Sequence, residues 1–315
     1  MEDNVNEFDA RRQAYSCADY CETCGDLTGM VTWLDRAGLA PGRDNDDYDF
    51  DAHRNWCHTF AESQRRAIDR GVPAIYLNAL PNSASSFVSG FFANLLNVAG
   101  CRTSRGLFMH ARIVPTWLAA FARGGATTHE HFIATPENVA CLEASTVPRM
   151  IIHVRHPIAA LISMIRKLQA GPDSLLELSF RGTMRDMPAS FFRDNTRGAA
   201  RIAEALFPSI IAYMSSWMDY ARQGNRRISI TVTRYEDMVA DPERFARHAI
   251  TYFGLPDTNS ADTIRRLNDE ARTDGSYNFF DGESNRLSHD IDEATRTAIE
   301  ASLRPGLLEF YGYER

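Results

Sequence analysis

The sequence predicts an α/β fold, a mostly parallel sheet flanked by helices. Two observations carry this. Short apolar β runs at Ala74–Leu77 and Met150–Val154 and an alternating strand at Ile228–Thr233 are each followed by a turn or a helix-period segment. Composition agrees: 315 residues, 44% hydrophobic and 24% charged, are enough for a packed core of one large domain or about two.

The elements follow in order. Residues 1–70 hold 15 of the 41 acids and only 8 arginines, and read as an acidic helical N-terminal extension. Within it Gly42–Asp51 is a solvated loop, and Arg54–Arg70 has a helical pattern. Residues 71–315 are the α/β domain. Ala74–Leu77 is its first strand, and Pro81–Ser86 a turn of small residues. Phe87, Val88, Phe91, Phe92, Leu95 and Leu96 then form one helical face that Gly100 is expected to close. Strand Met150–Val154 leads into helix Pro157–Lys167, with Pro157 suited to a first helical position. A long helix spans Ala199–Arg222. Strand Ile228–Thr233 precedes a helix at Pro242–Phe253, and Asp292–Leu303 is the closing helix.

Several function classes are excluded. Outside the acidic preface the remaining 26 acids and 26 bases cancel, so nothing draws the body to nucleic acid or to an anionic membrane. The longest charge-free run, Gly71–Cys101, is interrupted by Asn78, Pro81, Asn82 and four serines, which lipid would leave unpaired. Met1–Ala10 is acidic, unlike a secretory leader. Six cysteines then imply reduced thiols and a cytoplasmic location. Cys17, Cys21 and Cys24 have knuckle-like spacing that Cys57, His53 or His58 would complete as a zinc site; reduced thiols on a helix are the alternative.

Three segments carry chemistry, all at the carboxyl ends of predicted strands, where such sheets collect ligands. Pro81–Phe87 joins a strand to a helix with small residues, so backbone N–H groups can approach an anion. It is no nucleotide-triphosphatase loop, because it has no Gly-Lys-Ser/Thr. Arg155-His156-Pro157 leaves the second strand, and Ser163 follows two helical turns later; an arginine fork and a hydroxyl suit one phosphate. Arg234-Tyr235-Glu236-Asp237 leaves the third strand.

In order and spacing these segments resemble the sulfotransferases that use 3′-phosphoadenosine 5′-phosphosulfate (PAPS). That family has a Pro-Lys-Ser-Gly-Thr-Thr-Trp loop, an Arg-x-Pro-x-x-x-x-x-Ser element and a later Tyr-Glu-Asp. The resemblance covers about residues 72–315 and implies a P-loop-like sulfotransferase fold with PAPS as donor. Asn82, Ser83, Ala84, Ser85 and Ser86 would hold the phosphosulfate end, with Phe87 as the aromatic against the nucleotide. Arg155 and Ser163 would hold the 3′-phosphate, and Tyr235 would approach the adenine. The family's catalytic histidine falls in Thr127–Phe132, and His131 matches best, with His129 the alternative and Glu130 a group to orient either. His153, alternating on a buried strand, reads as a core residue.

The implied activity moves a sulfuryl group to a hydroxyl or amine of a small molecule, with no metal. Arg102–Gly125 and Gly171–Asn195 are the expected acceptor loops, with Trp117, Phe121, Met184, Phe191 and Phe192 as lining. The chain departs from the family at Asn82, where the family has lysine, and at Ala84, where it has glycine. Of the Arg-Lys-Gly element only the glycine survives, at Phe280-Asp281-Gly282, leaving Arg272 or Arg286 to compensate. These departures keep two other functions open: a non-catalytic nucleotide-binding protein of the same fold, and a kinase-like phosphotransferase.

Overall fold

The structure, a computed structural model, describes residues 50–105, 109–170, 191, 195–257, 259–274 and 293–314. Its first element, α1 (Phe50–Asp69), packs on the α/β body through its second half. Ala67 is fully buried, and the Gln64 amide donates to the carbonyls of Ala120 (3.1 Å) and Gly124 (3.0 Å). Gly125 has φ +69°, and a Cβ there would lie 2.5 Å from the Gln64 carbonyl oxygen, so a side chain has no room.

Strand β1 (Tyr76–Ala79) lies at the centre. It pairs in parallel with β6 (Arg149–Val154), and β6 pairs in parallel with β7 (Ser229–Arg234). On the other side of β1 runs β5 (Ala126–Thr128), joined to it by bridges Ile75–Thr127 and Asn78–Glu130. Backbone bonds complete the join: Ile75 N–H to the Ala126 carbonyl (3.0 Å) and Ala79 N–H to that of Glu130 (2.8 Å). β5 pairs in parallel with β2 (Ala99–Cys101). The strand order is therefore β2-β5-β1-β6-β7, all parallel. A two-residue antiparallel pair, β3 (Ser104–Arg105) with β4 (Arg112–Ile113), lies apart from it.

Side chains of the central strands alternate between two cores, as the period-2 pattern requires. Tyr76, Met150, Ile152 and Val154 enter one, shared with α3 (Pro115–Ala122), α5 (Pro157–Ala170) and α6 (Asn195–Ala221). Ile75, Leu77, Ala79 and Ile151 enter the other, shared with α2 (Ser85–Leu96), α8 (Pro242–Phe253) and α9 (Ser260–Asp274). A parallel sheet is thus covered on both faces. The remaining helices are α4 (Pro136–Ala144), α7 (Tyr235–Ala240), α10 (Glu293–Ala301) and α11 (Leu307–Phe310).

One expected boundary is corrected. α2 ends at Leu96, and Asn97 supplies the left-handed cap (φ 49°), its N–H meeting the carbonyls of Ala93 and Asn94. Asparagine tolerates this conformation nearly as readily as glycine. Gly100 instead lies in β2, opposite Thr127.

The chain leaves β1 toward β2 on one side and leaves β6 toward β7 on the other. The loops after β1 and β6 part there, at the carboxyl ends of these strands, where sheets of this kind bind ligands.

Candidate functional site

The turn after β1 is held from below. Leu80 N–H donates to the His153 carbonyl (2.8 Å), and both the N–H (3.2 Å) and the hydroxyl (2.6 Å) of Ser83 donate to the Leu80 carbonyl. Ser83 is fully buried, so its hydroxyl closes the turn instead of facing an anion, which corrects the role expected of it. Asn82 and Ala84 both adopt left-handed backbone (φ 60° and 62°). A left-handed residue followed by a helical one turns successive N–H groups to a common point. Ala84 caps α2 with no side-chain acceptor, and the first N–H groups of a helix have no intrahelical partner. The result is an uncharged anion cradle at Ala84–Ser86.

The alanine is strained in this role, because a Cβ crowds its own backbone in left-handed conformation. Ala84→Gly should therefore stabilise the fold by about 1 kcal/mol, glycine's greater freedom when unfolded offsetting part of the relief. A lower urea midpoint in the glycine variant, at equal slope, would contradict this strain.

His153 ties the cradle to β7. The Ser83 carbonyl only accepts, so Nε2 of His153 (2.7 Å) carries the proton, and Nδ1 accepts from the Thr233 hydroxyl (2.8 Å). Complete burial pushes this histidine down to about 4, so it is neutral. It is a satisfied core residue, as expected, and also a strut of the loop.

Beyond β5 the side chains alternate. Thr128 enters the ladder with its hydroxyl, which accepts from Leu77 N–H (2.8 Å) and donates to the Leu77 carbonyl (3.0 Å). Glu130 turns inward. Its carboxylate accepts from the N–H and hydroxyl groups of Thr103 and Ser104, and burial raises its pKa against those bonds. It faces away from both histidines, so the expectation that it orients one of them is corrected.

His129 and His131 share the other side, their rings 4.7 Å apart and nearly perpendicular. His131 Nδ1 lies 2.7 Å from the Ala79 carbonyl. That oxygen can only accept, so Nδ1 carries the proton and Nε2 keeps its lone pair. His129 Nε2 lies 2.7 Å from Ser85 Oγ, at the first residue of α2. Burial pushes His131 down to about 3, helped by His129 and by the charges of Arg102 and Lys167 and opposed by the Ala79 bond. Burial, with the same two cations, pushes His129 down to about 4. Both rings are neutral near pH 7.

Phe132, next along, is fixed three ways. Its N–H donates to Asn78 Oδ1 (3.0 Å), and its carbonyl accepts from Asn78 Nδ2 (3.0 Å) and Trp217 Nε1 (2.9 Å). These bonds set the position of His131.

Arg155 leaves β6 toward the cradle, and Nη1 donates to the Asn82 carbonyl (3.2 Å). Its guanidinium stacks 4.2 Å above the Tyr235 ring centre, and burial lowers its pKa against the attraction of Tyr235 and Glu236. Its Nε is buried with no partner among the described residues. Tyr235 is only 7% exposed and its face is occupied by Arg155. It is a platform for the arginine, not an open surface for adenine, which corrects the expectation. Phe87 is corrected likewise: it is 1% exposed, inside the core between α2 and α8. Ser163 sits half-buried on α5 and makes no hydrogen bond with described residues.

Glu236 and Asp237 are structural. Glu236 accepts from His156 N–H (2.9 Å) and the Tyr313 hydroxyl (2.9 Å), while Asp237 accepts two bonds from Arg234 (2.6 and 2.7 Å). Arg234 also donates to the Gly312 carbonyl.

Sequence reasoning placed Arg102 only in an acceptor loop and gave Lys167 no place in the site, yet both charges act on the two histidines. Arg102 follows β2 directly, and the pairing of Cys101 with Thr128 places it beside His129. Lys167, the one lysine of the chain, lies in the last turn of α5. No motif marks either; only their effect on the histidines reveals them.

Several expectations fall outside the described residues: Cys17, Cys21 and Cys24, the 171–190 loop with Met184, Phe192, Phe280-Asp281-Gly282 and Arg286. The side chains of His53, Cys57, His58 and Arg272 are likewise outside them. Phe121 is 2% exposed and belongs to the core, not to a cleft. Among the described residues there is no group of three or more metal-ligating side chains, and no helix long and apolar enough to cross a membrane.

No family model matches the chain, and no curated protein matches it. Among solved structures it is similar to the crystal structure of mouse sulfotransferase SULT7A1 complexed with PAP, at 13% identity and a TM-score of 0.45. The match covers 64% of this chain and 64% of that one. A likeness at that level says nothing of activity.

Proposed function

We propose that the chain is a sulfotransferase that moves a sulfuryl group from PAPS to a hydroxyl or amine of a small molecule, on a P-loop-like fold. One observation supports this most: an uncharged N–H cradle, a histidine of fixed tautomer and a stacked arginine converge at the ends of β1, β5 and β6. The residues fit the donor on their own chemistry. Ala84, Ser85 and Ser86 would hold its phosphosulfate end through backbone N–H groups, with the exposed Ser86 hydroxyl beside them. Arg155 would supply a phosphate with a cation whose Nε has no partner among the described residues, and Ser163 lies on the helix that follows. The donor supplies an activated sulfuryl group with a phosphate as leaving group. His131 Nε2 takes the acceptor's proton, as a positioned base must.

Calorimetry with the desulfated nucleotide, 3′-phosphoadenosine 5′-phosphate (PAP), tests the reading. PAP should bind, and Arg155→Ala should weaken it by about 1.5–3 kcal/mol, the worth of a charged hydrogen bond. Unchanged affinity would remove Arg155 from the site. ATP binding in preference to PAP would favour the kinase-like alternative. The charge-free loop at 81–87 favours one other reading, a nucleotide-binding protein without catalysis. Tight PAP binding with no sulfuryl transfer to any acceptor in a broad phenol and amine panel would select it.

A further inference from the structure

We propose that the two histidines divide the work: His129 is the positioning residue of the anion cradle, acting through Ser85 and taking up a proton as the anion binds, while His131 stays neutral as the base. This rests on the sulfuryl-transfer reading of the site.

The argument starts from the loop's composition. Pro81 to Phe87 contains no ionisable side chain, so charge to balance a bound anion must come from outside it. Arg155 and His153 reach only its backbone carbonyls, at Asn82 and Ser83. His129 is bonded to a loop side chain, with Nε2 at 2.7 Å from Ser85 Oγ.

Hydrogen-bond direction does the rest. An anion only accepts, so in the proposed complex the Ser85 hydroxyl, at the first residue of α2, donates to it. The Ser85 oxygen then has only lone pairs for His129, and Nε2 of His129 must carry a proton. Nδ1 is left as the site for a second proton, which the anion's charge favours. His131 cannot respond in the same way, because its Nδ1–H is engaged by the Ala79 carbonyl and its Nε2 has no partner in the loop.

With rings 4.7 Å apart, two positive charges would repel, so in the waiting complex one imidazolium keeps the other ring neutral; His131 gains its proton only as the departing phosphate gains the charge that balances it. The groups facing His129 are Arg102 from the end of β2, Lys167 from α5, His131 on its own segment and Ser85 from α2, with Glu130 turned away. Burial first, and the two cations after it, hold His129 neutral; a bound anion opposes both by attracting the proton.

In the transfer step the bond from acceptor oxygen to sulfur forms as the bond from sulfur to the bridging phosphate oxygen breaks. The electron pair stays on the phosphate, and the acceptor's proton goes to His131 Nε2. The chain from His129 through Ser85 to the phosphate then faces the charge that has grown.

The test is PAP calorimetry at pH 6 in buffers of differing ionisation enthalpy. The protein should take up more protons per PAP than His129→Gln by about one, the imidazolium formed on binding. His131→Gln should match the unsubstituted protein. PAP's own phosphates contribute equally to all three, so the difference is the readout. Equal uptake in all three, or loss of uptake only in His131→Gln, overturns the division while leaving the sulfotransferase reading standing. Failure of the unsubstituted protein to bind PAP overturns both. Histidine ring titration by NMR needs no variant: with PAP bound, one midpoint should rise from about 4 toward neutrality. No midpoint moving is again fatal.

Discussion

Replacing His131 by alanine should lower turnover ~10²–10⁴-fold while leaving PAP affinity almost unchanged. In the proposed mechanism its Nε2 takes the acceptor's proton, and its own hydrogen bond is to the Ala79 carbonyl, while Ser85 is bonded to His129. The pH profile carries the same information. An unperturbed histidine would give a rate rising through about 6.5. Burial pushes His131 down to about 3, and only the neutral ring accepts a proton, so the acid limb moves down with it. kcat/KM should be flat across neutral pH as far as this group is concerned. A limb near 6.5 that vanishes in His131→Ala would show that the ring is far more hydrated than its surroundings here imply. Full activity in His131→Ala would place the base elsewhere.

Trp217→Ala should cost about 3–5 kcal/mol, the usual loss for deleting a buried tryptophan. Folded domains have only about 5–15 kcal/mol to lose, so much of the protein would unfold in mild urea. Trp217 is 1% exposed, packs its ring 5.8 Å from that of Phe132 and 5.9 Å from that of Tyr220, and donates to the Phe132 carbonyl. Trp217→Phe keeps most of the packing and should lose far less. Equal urea midpoints for the alanine variant and the unsubstituted protein would show that this contact contributes nothing net.

β1 and β6 were legible because strands buried on both faces read as apolar runs, and β7, a half-buried edge strand, by its alternation of apolar residues with Ser and Thr. β5 and β2 were not: Ala-Thr-Thr and Ala-Gly-Cys have no such run, and β5 is held against β1 partly by the Thr128 hydroxyl. In the site, the 82–86 loop and Arg155 were legible as residues leaving strands. Phe87 was misread although its own periodicity gave the answer, since it shares a helical face with Phe91 one turn on. Tyr235 looks the same in sequence whether a base or a guanidinium covers it. The pairing of Ser85 with His129 joins residues 44 apart, and no local pattern encodes such a contact.

The central place of β1 has a kinetic consequence. Tyr76 pairs with Met150, and Met150 with Ile230, so every ladder beside the cradle waits for distant chain to arrive. Contacts that close such long loops slow folding, because the entropy is lost before the pairing rewards it. Until then the charge-free stretch from Gly71 to Cys101 is exposed with both strand edges open and no like-charge repulsion to keep copies apart. Refolding yield should therefore fall as protein concentration rises, with β1 and the loop after it as the segment through which chains first associate.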